Sequence, residues 1–121
     1  MASRSSRSVS QVEPPPLVRR FLSHLAAERG LAPNTLAAYR RDLVSLVEHF
    51  NSTATTLEQA RPHDFTGYLR EQTRQGKSTK TLARRVAAIR VLLRYMSSEG
   101  KDVELILQHI ERPKPERSLP K

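Results

Sequence analysis

Apolar side chains recur at intervals of three and four through most of this chain, and no stretch alternates apolar with polar as a half-buried strand does. Leu17, Phe21, Leu22 and Leu25 predict a first helix, which Gly30 stops. A second helix is predicted from "APNTL", where Pro33 suits a first turn because its missing N–H costs nothing there. Leu36, Leu43, Val47 and Phe50 form its stripe, with Tyr39 and Leu46 on the flank. "NSTATTLEQA" reads as a connection. A third helix opens at "RPHDF", carries Phe65, Tyr68 and Leu69, and ends at "RQGKS". The fourth is "GKSTKTLARRVAAIRVLLRYM", with Leu82, Val86, Ile89, Leu93 and Met96 on one face, Leu92 beside them, and Glu99-Gly100 closing it. Leu105, Ile106 and Ile110 suggest a short fifth helix from Val103 to Ile110. No internal repeat is found. The expected fold is all-α: a small bundle of four main helices with a short fifth.

Composition sets the boundaries. Residues 1–16 are Ser/Arg-rich and then Pro-rich, so they are expected to form a disordered basic arm. Residues 17–111 are expected to form the helical domain, and "RPKPERSLPK" (112–121), with its prolines, an extended linker. A length of 121 residues suits one domain. With no Cys, disulfides and thiolate metal sites are excluded. No apolar run approaches the roughly 20 residues that span a bilayer, and the N-terminus has no secretory hydrophobic core, so a cytoplasmic setting without membrane partners is expected.

Catalytic chemistry is not indicated. His24, His49, His63 and His109 share no metal-ligand spacing. The carboxylates are scattered, no Gly-rich phosphate loop exists, and Tyr39, Tyr68 and Tyr95 lie in or beside apolar stripes as packing residues. The expectation is no metal, no cofactor, no small-molecule substrate and no catalytic set.

Charge changes the picture. The chain holds 21 Lys+Arg against 12 Asp+Glu, a formal net charge of +9 that points to an anionic partner. The arm contributes +1 and residues 113–121 contribute +2, so most of the excess belongs to the helical segment. From Gln72 to Ser98 there is no acidic residue, although seven cations fall there, from Arg74 to Arg94. On a wheel of about 100° per residue, Lys80, Arg84 and Arg94 lie opposite the apolar arc of the fourth helix, with Arg90 on its flank. A solvated face ordinarily mixes signs into i,i+4 pairs, and this one does not.

Ser78, Thr79 and Thr81 stand where this helix begins. One of them is expected to cap it, and the free N–H groups of a helix start also suit a phosphate. "PNT" at the second helix, ending at Thr35 and followed by Arg40 and Arg41, repeats the arrangement. Arg85 falls within the apolar arc. Either it pairs between helices, with Asp42 as one candidate partner, or it emerges beside the ligand.

Three fragments, in this order and spacing, carry a resemblance. They are "NTLAAYRRDL" from Asn34 to Leu43, "S-x-x-T-L-x-x-R-x-x-A-I-R" running from Ser78 to Arg90, and the "RPK…LPK" exit. Together they resemble the N-terminal core-binding (SAM-like) domain of tyrosine recombinases of the Xer and phage-integrase type, over about residues 17–121. The resemblance implies an orthogonal four-helix bundle that holds one face of duplex DNA while a second lobe cuts from the other. It also implies partner protomers in the full assembly. The second and fourth helices would approach the major groove, with Thr35, Arg40, Arg41, Ser78, Thr79, Lys80, Thr81, Arg84 and Arg90 on phosphates or base edges. The family cuts DNA with an Arg–Lys–His-x-x-Arg–His/Trp set and a Tyr nucleophile. The chain stops where that lobe should begin, so it is expected to bind without cutting, as a piece of a full recombinase. "HIER", from His109 to Arg112, matches His-x-x-Arg by letters but stands before the linker, in the wrong lobe.

Two other readings compete. One is a helical protein-interaction module whose basic surface meets an acidic partner. The other is a stand-alone helix-turn-helix regulator, for which only the short break at "RQGKS" is suitable.

Overall fold

Proline begins three of the helices, as the first-turn argument requires. A computed structural model describes residues 13–111 and contains α1 (Pro16–Glu28), α2 (Pro33–Ser52), α3 (Pro62–Arg74), α4 (Thr79–Ser98) and α5 (Glu104–Glu111). No strand occurs among the described residues. The all-α expectation holds, and the short fifth helix is formed. The arm through Val12 and the linker from Arg112 lie outside the described residues. Contacts divide the chain into two compact units, one ending at Gln59 and the other starting at Ala60.

In the first unit α1 packs on α2. Leu17, Val18, Phe21 and Leu25 are buried from α1, and Leu43, Val44, Leu46, Val47 and Phe50 from α2. Each such side chain contributes about 1.5–3 kcal/mol when fully removed from water. The Phe21 and Tyr39 rings meet edge to face with centroids 6.1 Å apart, a favoured aromatic geometry. The two halves of α2 differ. Pro33, Asn34, Thr35, Ala37, Arg40 and Arg41 are exposed in the first, whereas burial from Asp42 onward extends around much of the helix. Residue Pro14, just ahead of α1, is buried, and its carbonyl accepts a 2.7 Å bond from Arg19 Nη1.

In the second unit α3, α4 and α5 pack against one another in all three pairings. Phe65, Tyr68 and Gln72 are buried on α3, and Ala88, Ile89, Leu92, Leu93 and Met96 on α4. The buried arc of α4 is rotated from the predicted stripe toward Ala88 and Leu92, and Leu82 and Val86 are only half-buried. On α5 the buried face is Ile106 and Leu107, continuing from Val103, while Leu105 is 70% exposed. Spacing explains this difference: 103, 106 and 107 share a helical face, and 105 stands off it.

Gly76 and Gly100 turn the chain out of α3 and α4 with φ of +87° and +94°, a conformation that a Cβ disfavours. At the first turn Lys77 N donates to Gln72 O (3.1 Å) and Gly76 N to Thr73 O (3.0 Å), the paired bonds that close a helix around a left-handed residue. The same pair, Thr55 N to Phe50 O (2.8 Å) and Ala54 N to Asn51 O (3.2 Å), ends α2 with Ala54 in that conformation.

Candidate nucleic-acid interface

The start of α4 is built around Ser78. Its backbone is extended, and its Oγ accepts the Thr81 backbone N–H at 3.1 Å, so Ser78 is the cap. The same Oγ donates to Thr81 Oγ1 at 3.1 Å. Ser78, Thr79 and Lys80 are exposed and Thr81 is half-buried. No acidic residue occupies the first turn, so the positive end of the helix dipole is left without a counter-charge from its own turn.

Beyond the first turn, Arg84 and Arg94 are exposed on the side of α4 away from its buried arc, and Arg90 is half-buried at its edge. Lys80 and Arg84 are four residues apart, as are Arg90 and Arg94, so like charges stand above one another where alternating ones would stabilise the helix. Lys77 is exposed in the turn just before. Arg74, at the end of α3, pairs with Glu71. Its Nη2 lies 2.6 Å from Glu71 Oε2 and its Nε 3.0 Å from Oε1, which raises the guanidinium pKa further through the hydrogen bond and the attraction of Glu71. Arg74 is thus paired within its own helix, in the last turn of α3.

In the first unit, Thr35, Arg40 and Arg41 are exposed on the first half of α2. The local start differs from that of α4. Ala32 occupies the cap position without a side-chain bond, and Thr35 lies inside the first turn, so "PNT" supplies no capping hydroxyl. Asp42 is only 3% exposed.

Arg85 is half-buried, on the core side of α4. Its Nη1 donates to Gln72 Oε1 in the last turn of α3, and Gln72 is itself 5% exposed. Gln72 is the residue that sequence reasoning overlooked. Its signal was present: counted from Phe65 and Tyr68 it occupies an apolar register, and a polar side chain there needs a buried partner.

Elsewhere, His109 Nε2 is hydrogen-bonded to Thr66 Oγ1, which places it against α3. Tyr95 donates to Glu99 Oε2 at 2.8 Å. No cluster of three His, Cys, Asp or Glu that could hold a metal ion occurs among the described residues. No helix of the described residues is long and apolar enough to cross a membrane. The α4 surface offers ammonium, guanidinium, hydroxyl and N–H donors with no carboxylate between Gln72 and Ser98, a set suited to phosphate oxygens.

Residues 18–100 match the family model described as the phage integrase N-terminal SAM-like domain. The chain is 36% identical over 110 residues to tyrosine recombinase XerD of Listeria innocua, covering 87% of this chain and 36% of that protein. It is also 36% identical over 104 residues to tyrosine recombinase XerD of Rhizobium meliloti, covering 86% and 33%. Tyrosine recombinase XerC of Alcanivorax borkumensis is 36% identical over 110 residues, covering 86% and 33%. The chain thus spans about a third of the length of the curated relatives it matches. No solved structure gives a significant match.

Proposed function

The chain belongs to the phage integrase N-terminal SAM-like domain family of tyrosine recombinases, and from that premise we propose that it holds duplex DNA at a recombination half-site. Strand cleavage and joining are carried, in this proposal, by the part of the relatives' length that this chain does not span. Partner protomers join in the full assembly. The observation that supports the reading best is the outward side of α4, which carries Lys80, Arg84 and Arg94, with Arg90 beside them, in a stretch of sequence that holds no Asp or Glu from Gln72 to Ser98. Phosphate contacts supply affinity and position, and an Arg on that face can reach two acceptors of a guanine edge in the major groove. The exposed start of α2, with Thr35, Arg40 and Arg41, adds contacts of the same kind.

Binding of this type releases condensed counterions. With roughly four to six phosphates neutralised, log affinity should fall against log salt with a slope of about −4 to −5. The test is a fluorescence-anisotropy titration of a duplex at several salt concentrations. A steep slope that flattens in the Lys80→Ala, Arg84→Ala, Arg90→Ala triple variant, with helicity unchanged, supports the proposal. A salt-insensitive titration, or tighter capture of an acidic protein than of duplex DNA, overturns it.

A further inference from the structure

Glycine weakens the interior of a helix relative to alanine, so one that stands there calls for a reason. Gly30, Gly76 and Gly100 have one, since each turns the chain with a positive φ. Gly67 has neither that reason nor a packing one. It lies within α3, and a Cβ built on it meets nothing within 4 Å. On the helix wheel it falls with the exposed His63 and Arg70, opposite the buried Phe65, Tyr68 and Gln72. The outward face of α3 therefore carries a notch, with a guanidinium three residues further on.

On α5 the relief is reversed. Leu105 is 70% exposed, and no other large apolar side chain among the described residues is exposed. Glu104 beside it is exposed too, and its Oε2 accepts from Gln108 Nε2 at 3.3 Å. This is an apolar knob next to a negative charge. Within one chain α3 and α5 already pack together, joined by the Thr66–His109 bond, and Gly67 and Leu105 stand on the outer sides of their helices. Only another copy can bring the knob to the notch.

We propose that α5 of one protomer docks on α3 of a second copy of this chain, with Leu105 in the Gly67 notch and Glu104 beside Arg70. The inference rests on the assembly of protomers proposed above and deepens it. The two surfaces differ, so each copy can use both at once, which is how rings of protomers close. One side chain and one ion pair bury far less than the roughly 1,200 Å² of a stable interface. The contact therefore orients neighbours that DNA already holds at high effective concentration, and is weak between free chains. A duplex that holds a single copy leaves both surfaces open.

The chain has no Cys, so single cysteines report the pairing. Differently tagged Gly67→Cys and Leu105→Cys chains are mixed at about 0.5 mM, where a contact with a Kd of about 1 mM is appreciably populated, and oxidised mildly without DNA. Salt at about 0.15 M screens the repulsion between basic chains beyond about 8 Å. The mixed disulfide is expected to form at least about threefold faster than either same-variant dimer, because only that pair is held within bonding reach. A mixture of Leu105→Cys with Thr73→Cys, an exposed α3 site off the Gly67 face, should show no such preference. Adding Glu104→Arg to the Leu105→Cys chain should remove the preference, and adding Arg70→Glu to its Gly67→Cys partner should restore it. Separately, Gly67→Ala should melt about 4–8 °C above the parent, since nothing in its own chain opposes the methyl group. Equal rates for mixed and same-variant dimers overturn the proposal, as does a preference that Glu104→Arg leaves intact. A Gly67→Ala chain that melts lower also overturns it, because the glycine then serves its own fold. No DNA is present, so these outcomes are distinguishable from a failure of the chain to bind a duplex, which the anisotropy titration decides.

Discussion

Replacing Ser78 by Asp or by Ala separates its role as helix cap from its proposed role as a DNA contact. Ser78 Oγ accepts the Thr81 N–H at 3.1 Å, and loss of such a cap costs about 1 kcal/mol. For a domain of this size class that shift lowers the melting temperature by about 4–8 °C, which is the expectation for Ser78→Ala. Aspartate caps as well as serine. Its carboxylate also meets the uncompensated dipole of a first turn without acid, a gain of about 0.3–1 kcal/mol, so Ser78→Asp should melt at or a few degrees above the parent. DNA binding should move the other way. A carboxylate placed among Lys77, Thr79 and Lys80 faces the phosphate those groups attract, and repulsion of about 1 kcal/mol at contact distance in water weakens binding at least about fivefold. Differential scanning fluorimetry and anisotropy titration at about 0.1 M salt read the two quantities independently. The reasoning is refuted if Ser78→Asp melts lower than Ser78→Ala, or if it binds duplex DNA as tightly as the parent.

Two further predictions concern stability alone. Ala54 ends α2 with φ of +58°, where Gly30, Gly76 and Gly100 serve at other turns. Relief of left-handed strain of about 1–2 kcal/mol, less about 0.4–1 kcal/mol of added freedom in the unfolded chain, should make Ala54→Gly more stable by about 0.5–1 kcal/mol in urea denaturation; a loss would contradict this. Glu48 has a buried Oε2 without a hydrogen-bond partner, and burial raises its carboxyl pKa above the ordinary value. The folded chain therefore holds this proton more tightly than the unfolded one, and stability falls as pH rises through the interval above the ordinary carboxylate pKa. Glu48→Gln should remove that slope and be more stable than the parent at neutral pH, with the two converging in acid; parallel pH profiles would contradict the assignment.

Much of the helical architecture was legible because its signals were local. Pro33 and Pro62 mark helix starts, Ser78 its cap, and Gly76 and Gly100 the exits, each through backbone chemistry that a few neighbouring residues decide. The cationic side of α4 was legible for the same reason, since a helix converts spacing into a face. What the spacing did not decide was how far each face is covered. Leu105 lies next to Ile106 in sequence yet is exposed, and Leu82 and Val86 fit the stripe but are half-buried, because the buried arc of α4 follows what packs on it. The Arg85–Gln72 bond was out of reach for a related reason. It joins two helices, and the wheel placed Arg85 in the apolar arc without saying which side chain of α3 stands opposite. The parallel between "PNT" and the start of α4 failed on one residue: Ala32, not a hydroxyl, is the cap of α2.

Amide chemical-shift mapping tests the central claim most directly, with labelled chain titrated by unlabelled duplex DNA. The account predicts shifts concentrated from Lys77 to Arg94 on the outward side of α4 and around Thr35, Arg40 and Arg41, with Leu105 and Gln108 on α5 unchanged. Shifts centred on α5, or none at saturating DNA, would contradict it.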